Sequence, residues 1–178
     1  MMICLGIDPG KAGGIAKINL TKGTIEALKM PETLDEIVAV LSSIGSNSFT
    51  IIEEEHARPS VRRGINPVTN QEEIYQSRGA VATWTFAQHY GELLGILSAL
   101  HMPHELMKPK FWMKSLGLRS REKGETQTHW KNFLKERAQQ MYPGLRVTLA
   151  TADALLIAEV CHRLHGRKTT KDFDWEDF

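Results

Sequence analysis

The chain has 178 residues and a formal net charge of +1, with 42% apolar and 24% charged residues. At about 150 residues per domain it forms one domain, large enough to fold around its own core without a metal staple or a disulfide framework. The composition excludes a disordered or collagen-like chain, and the longest apolar-leaning stretch, Leu93–Leu100, falls far short of the ~20 residues a spanning helix needs, so no membrane partner is expected.

Met2–Asp8 is a short apolar run of the buried-strand kind, closed by the turn Asp8-Pro9-Gly10. Ile15–Leu20 and Thr24–Met30 follow, joined by Thr21-Lys22-Gly23, and the three read as an antiparallel meander. Thr33-Leu34-Asp35-Glu36 is a capping-box pattern. Leu34, Ile37, Val38, Leu41 and Ile44 then recur at helical spacing, and Gly45 supplies the stop. Phe49–Ile52 is a fourth strand, reached through a helical crossover and so parallel to its neighbour. It runs into Glu53-Glu54-Glu55.

Residues 57–80 have two prolines, two glycines and no sustained period. They read as a structureless loop, of a length that is usually functional. Val81–Leu100 is a helix with apolar positions at Trp84, Leu93, Leu94, Leu97 and Leu100, and with Gly91 and Gly95 as a small-residue stripe. A short strand at Glu105–Met107 precedes a basic segment, and Thr126–Met141 and Ala152–Leu164 are two further helices. The order βββ-α-β-α-β-α-α specifies an α/β domain, a mixed sheet with helices on its faces. It spans residues 1–166, and the polar residues 167–178 read as a flexible tail.

Charge is unevenly distributed. Residues 108–146 carry ten Lys/Arg against three acids, a local excess of seven, which leaves the remainder of the chain at −6. Such asymmetry points to a polyanion-facing side opposite an acidic pole. Cys4 and Cys161 lie in apolar runs without cysteine neighbours, and the first ten residues lack a secretory pattern. Both features fit reduced core thiols in a cytoplasmic protein.

Three acids stand where a core disfavours them. Asp8 ends the run Ile3-Cys4-Leu5-Gly6-Ile7, Glu53 ends Phe49–Ile52, and Asp153 lies within Ala152–Ala158, a nearly all-apolar helix start. Ionised carboxylates in apolar surroundings are costly unless paired or bound to metal, and three hard oxygen donors suit Mg²⁺ or Mn²⁺. Each also has a plainer reading: a turn, a solvated strand end, and a helix-start acid favoured by the macrodipole. His101/His104 and His162/His165 lack the cysteine partners or third imidazole of a zinc site. Trp112 and Trp130 read as core.

Gly6-Ile7-Asp8-Pro9-Gly10, Ile52-Glu53 followed by His56-Ala57-Arg58-Pro59, and Ala152-Asp153-Ala154-Leu155-Leu156-Ile157-Ala158 together resemble the RuvC-type Holliday-junction resolvases. The phage-encoded branch is the nearest look-alike. Trp84-Thr85-Phe86 with Tyr90-Gly91 and Gly95-Ile96-Leu97, and Lys108-Pro109 with Phe111-Trp112-Met113-Lys114, are similar to that branch as well. The resemblance covers about residues 2–162. It implies an RNase H-like mixed five-stranded sheet with helices on both faces, a homodimer formed through the Gly91/Gly95 helix, and Mg²⁺-dependent cleavage of branched DNA, above all four-way junctions. Mn²⁺ is the natural substitute ion. Asp8, Glu53 and Asp153 match the catalytic, metal-binding carboxylates, which in such nucleases hold two ions about 4 Å apart on the scissile phosphate. Lys108 and Lys123 fall near two lysines that contact the DNA backbone. If the chain is phage-encoded, its compartment is the host cytoplasm.

Three positions depart from that pattern. Ala150 stands where the family often has a second acid or a histidine, which makes Glu55 a candidate further ligand. His56 replaces a base-stacking aromatic. Residues 60–80 look like an insertion, and Arg58, Arg62 and Arg63 would make it a DNA-contacting flap. Ala150 also leaves open a catalytically weak relative that binds junctions without cutting them. The Asp-x-Gly element of Asp8-Pro9-Gly10 also appears in sugar-kinase and actin-like ATPases, but those chains are about twice as long and repeat the fold.

Overall fold

The computed structural model describes residues 2–56, 61–66, 68–76 and 79–166. Strands β1 (Ile3–Asp8), β2 (Gly14–Asn19) and β3 (Thr24–Lys29) form the expected meander. Helix α1 (Leu34–Ile44) starts at Thr33, whose hydroxyl accepts from the Glu36 N–H at 3.3 Å while the Glu36 carboxylate accepts from the Thr33 N–H at 3.1 Å. That reciprocal pair satisfies donors a helix start otherwise leaves open. The helix delivers β4 (Ser48–Glu53) parallel to β1. Helix α2 (Ala80–Ala99) then leads to β7 (His104–Met107), parallel to β4. The result is a mixed five-stranded sheet in the order β3-β2-β1-β4-β7.

Period-two alternation along β1 divides the core into two layers. Ile3, Leu5 and Ile7 join Ile15 and Ile52 under Ile37 and Leu41 of α1 and Leu93 and Leu97 of α2. On the opposite face Cys4, Ala16, Ile18 and Ile51 lie under α3 (Pro109–Ser115), α4 (Gln127–Met141) and α5 (Leu149–His165). Each fully buried Leu or Ile contributes roughly 1.5–3 kcal/mol, so both layers hold the sheet firmly.

The structure corrects three expectations. Within residues 57–80 lies a β-hairpin, β5 (Val61–Ile65) paired antiparallel with β6 (Glu72–Gln76) as a separate two-stranded sheet. The Asn66 side chain accepts from the Val68 and Thr69 amides, and Asn70 takes a left-handed φ of 55°. That is turn chemistry built on asparagine rather than glycine. Helix α3 was not anticipated; Pro109 occupies its first turn, where a missing N–H costs nothing. Helix α5 begins at Leu149 rather than Ala152, because the Thr151 hydroxyl accepts from the Thr148 amide at 3.0 Å and caps an extra turn.

Candidate active site

Asp8 is the last residue of β1 and Glu53 the last of β4. These strands are parallel neighbours in the register Ile7–Ile52, so both carboxylates emerge at the same end of the sheet. Alternation also puts them on one face, the face that α5 covers.

Helix α5 lies unusually close to that face because the residues between them are nearly all small. A Cβ on Gly6 would lie 2.2 Å from both the Ala154 carbonyl oxygen and the Ala158 nitrogen, and one on Gly14 would lie 2.6 Å from the Ala150 carbonyl oxygen. The stripe Ala150, Ala154, Ala158 therefore rests directly on β1 and β2, which carries Asp153 up to Asp8. Ala150, the expected gap in the ligand set, is part of this contact. Gly10, at φ 100°, makes the tight turn after Asp8 that few side chains tolerate.

All three acidic residues are buried. Burial, reinforced by the Asp153 and Glu55 charges and opposed by Lys131, pushes the Asp8 carboxyl up to about 7. Burial and the Asp8 and Asp153 charges push Glu53 up to about 8, against a hydrogen bond from Trp112 that works the other way. The Trp112 Nε1–H donates to Glu53 Oε2 at 2.7 Å from a fully buried indole. Lys131 on α4 places its ammonium against Asp153 Oδ2 and 4.0 Å from Asp8 Oδ2. Burial works to lower its pKa, but Asp153, Asp8 and Glu53 together outweigh that and raise it.

Neither Lys131 nor the Trp112 bond was anticipated. The buried stripe Trp130, Leu134, Ala138 on α4 puts Lys131 on the flank of the packed face, a signal that locates the residue but not its partners.

The other predicted residues lie around this cluster. Glu55 lies beyond β4, which ends at Glu53; it is exposed, yet its charge reaches Asp8 and Glu53. His56 pairs through Nε2 with Glu54 at 2.9 Å, and 58% of its side chain stays exposed. Lys108 is exposed and directly follows Met107, which is in register with Glu53. Lys123 is exposed in the turn between α3 and α4. Arg62 and Arg63 lie on β5, and their side chains, like the whole of Arg58, fall outside the described residues.

Part of the basic excess is consumed internally. Arg119 makes a two-pronged bond to Glu125 at 2.7 and 2.9 Å and lies over the Phe133 ring, and Arg121 donates to the Glu125 carbonyl.

No protein-family model matches the chain, and no curated protein matches its sequence. Among solved structures it is similar to T. thermophilus RuvC in complex with a Holliday junction substrate. The TM-score is 0.53 at 17% identity, over 94% of this chain and 96% of that one. The chain has the RuvC fold. A second structure, of Thermus thermophilus RuvC, gives a TM-score of 0.52 at 15% identity, over 93% and 97% of the two chains. The RuvC fold is the RNase H-like arrangement of mixed sheet and two helical layers described above; the phage-encoded branch gains no support from these comparisons.

Among the described residues, no three acid, histidine or cysteine side chains converge as a finished metal-ligand set; the Lys131 ammonium stands between two of the carboxylates instead. The donor chemistry nevertheless fits a hard divalent cation. Asp153 Oδ1 is buried without a hydrogen-bond partner, and Asp8 and Glu53 are held above their ordinary range by burial among like charges. A cation relieves both conditions.

Proposed function

We propose that the chain is a divalent-metal-dependent endonuclease that cuts branched DNA, chiefly four-way junctions, as a homodimer. The observation that carries this reading is the buried cluster Asp8, Glu53 and Asp153 at one end of the sheet, in a fold shared with a RuvC solved on a Holliday junction.

Asp8, Glu53 and Asp153 would hold Mg²⁺ or Mn²⁺, with Glu55, whose charge reaches Asp8 and Glu53, as the candidate further ligand. When bound, such ions polarise the scissile phosphate and make water nucleophilic. The chain's own residues prepare the site. Trp112 fixes Glu53 through Oε2 and leaves Oε1 free, Lys131 balances Asp8 and Asp153, and the helix contact at Gly6 keeps Asp153 close to Asp8.

Lys108 and Lys123 would contact the DNA backbone, as would Arg58 and, from the hairpin strand β5, Arg62 and Arg63. His56 would face a base near the crossover while bonded to Glu54. The homodimer is supported by α2, where Gly91 and Gly95 are exposed and border open space. A two-fold junction presents two equivalent phosphates, which two sites related by a dyad would nick as a pair. A junction-binding protein without cleavage is the second reading, favoured by the Lys131 ammonium lying between two metal-ligand candidates.

The test is competition binding in chelator, where nothing is cut. Labelled four-way junction should resist displacement by excess linear duplex, and binding should weaken steeply with salt. Equal displacement by duplex would refute the junction reading.

A further inference from the structure

Helix α3 presents an aromatic ring to solvent in the middle of a group of unpaired cations. Phe111 is 57% exposed, whereas the adjacent Trp112 is fully buried. A single exposed apolar side chain is ordinary on a protein surface, so the weight falls on the cations around this ring. Lys108, the N-cap, and Lys114 stand three residues either side of Phe111 and share its face, and Lys110 is next to it. The helix carries no acid. Elsewhere Lys17, Lys29, Arg119, Lys131 and Arg163 each find a carboxylate. Among the described residues Lys108, Lys110 and Lys114 have none.

The position matters as much as the composition. Lys108 follows Met107, the β7 residue in register with Glu53, and Trp112 on the same short helix bonds the Glu53 carboxylate. Phe111 is thus the chain neighbour of the residue that bonds the candidate catalytic group.

We propose that Phe111, with Lys108, Lys110 and Lys114, is a landing platform for an unstacked nucleobase and its flanking phosphodiesters. The ring offers a face to the base and the three ammonium groups neutralise the backbone on either side. Stacking of this kind tolerates any sequence, because every base has a π-face. The chemistry selects a strand whose bases are available, as at a branch point, over an uninterrupted duplex whose bases are stacked. This deepens the nuclease reading above by naming what the surface beside the site would hold, and it rests on that reading for its place in catalysis.

The test uses the full chain and two probes in chelator: a four-way junction and a single-stranded oligothymidylate, each with one 2-aminopurine. Phe111→Ala should lower affinity for the single strand about tenfold, the scale of one lost base stack, and should abolish the quenching of 2-aminopurine. Phe111→Trp should restore both, and affinity for linear duplex should change little. The ring is exposed, so circular dichroism of Phe111→Ala should match the wild type. Junction binding with no difference between Phe111→Ala and wild type on either probe would overturn the platform alone. Loss of single-strand binding in Phe111→Ala, when wild type does not prefer junction to duplex, would keep the platform and overturn the junction reading. Failure of wild type to bind either probe would overturn both.

Discussion

Gly6 of β1 and Ala154 of α5 pack backbone against backbone with no room for a methyl group: a Cβ on Gly6 would meet the Ala154 carbonyl oxygen at 2.2 Å. That clearance sets how close Asp153, the preceding residue, comes to Asp8, two residues beyond Gly6. Gly6→Ala should push α5 off the sheet. The expected cost is about 1–3 kcal/mol, the range for overpacking a tight core, read as a lower urea midpoint with an unchanged slope. Divalent-ion affinity should fall with it, because the carboxylates separate.

Trp112→Phe keeps most of the core volume and removes one hydrogen-bond donor from a buried carboxylate. Glu53 Oε2 would then lack its 2.7 Å partner, a loss of about 1–3 kcal/mol. That bond works to lower the Glu53 pKa, so without it the group should ionise at still higher pH. Mn²⁺ titrations of wild type and variant across about pH 6–9, the range that brackets the raised carboxyl groups, should show the variant's affinity rising at higher pH than the wild type's.

The metal-free chain should be more stable in mild acid than at slightly alkaline pH. Asp8 rises from 3.8 to about 7 and Glu53 from 4.5 to about 8 on folding. Between the ordinary and raised values the folded chain holds protons that the unfolded chain has released, so stability falls as pH climbs through that window. The fall should be on the order of a few kcal/mol, and chemical denaturation at pH 5.5 and 8.5 measures it. Excess Mg²⁺ or the substitution Asp8→Asn should flatten the slope.

Lys131→Met should lower metal-free stability by about 1–2 kcal/mol, discounted from the value of a buried pair because a third of the lysine side chain is exposed. The same variant should be stabilised more by added Mn²⁺ than the wild type is, since the resident ammonium no longer balances Asp8 and Asp153. Thermal denaturation with and without the ion distinguishes this from simple destabilisation.

The parts of this architecture that rest on local signals were legible in the sequence. The meander, the Thr33–Glu36 cap and the parallel β4 follow from alternation, turn residues and helical spacing within a few positions of one another. The acids Asp8, Glu53 and Asp153 stand out because the first two end apolar runs and the third lies within one. What escaped depends on distant packing or atypical signals. The β5–β6 hairpin turns on Asn66 and Asn70 instead of an Asn-Gly pair, and α3 is one short helix of seven residues. The Trp112–Glu53 bond spans 59 residues. Lys131 reaches Asp153 only because α4 packs alongside α5, and no spacing in the chain announces that.

The most direct measurement is strand-specific cleavage of an end-labelled four-way junction against linear duplex, with and without Mg²⁺, for wild type and for Asp8→Asn. Paired, symmetric nicks are expected on the junction alone, dependent on the ion and absent in the variant, while the variant still binds the junction. A wild type that binds the junction but leaves every strand intact in both Mg²⁺ and Mn²⁺ would contradict it.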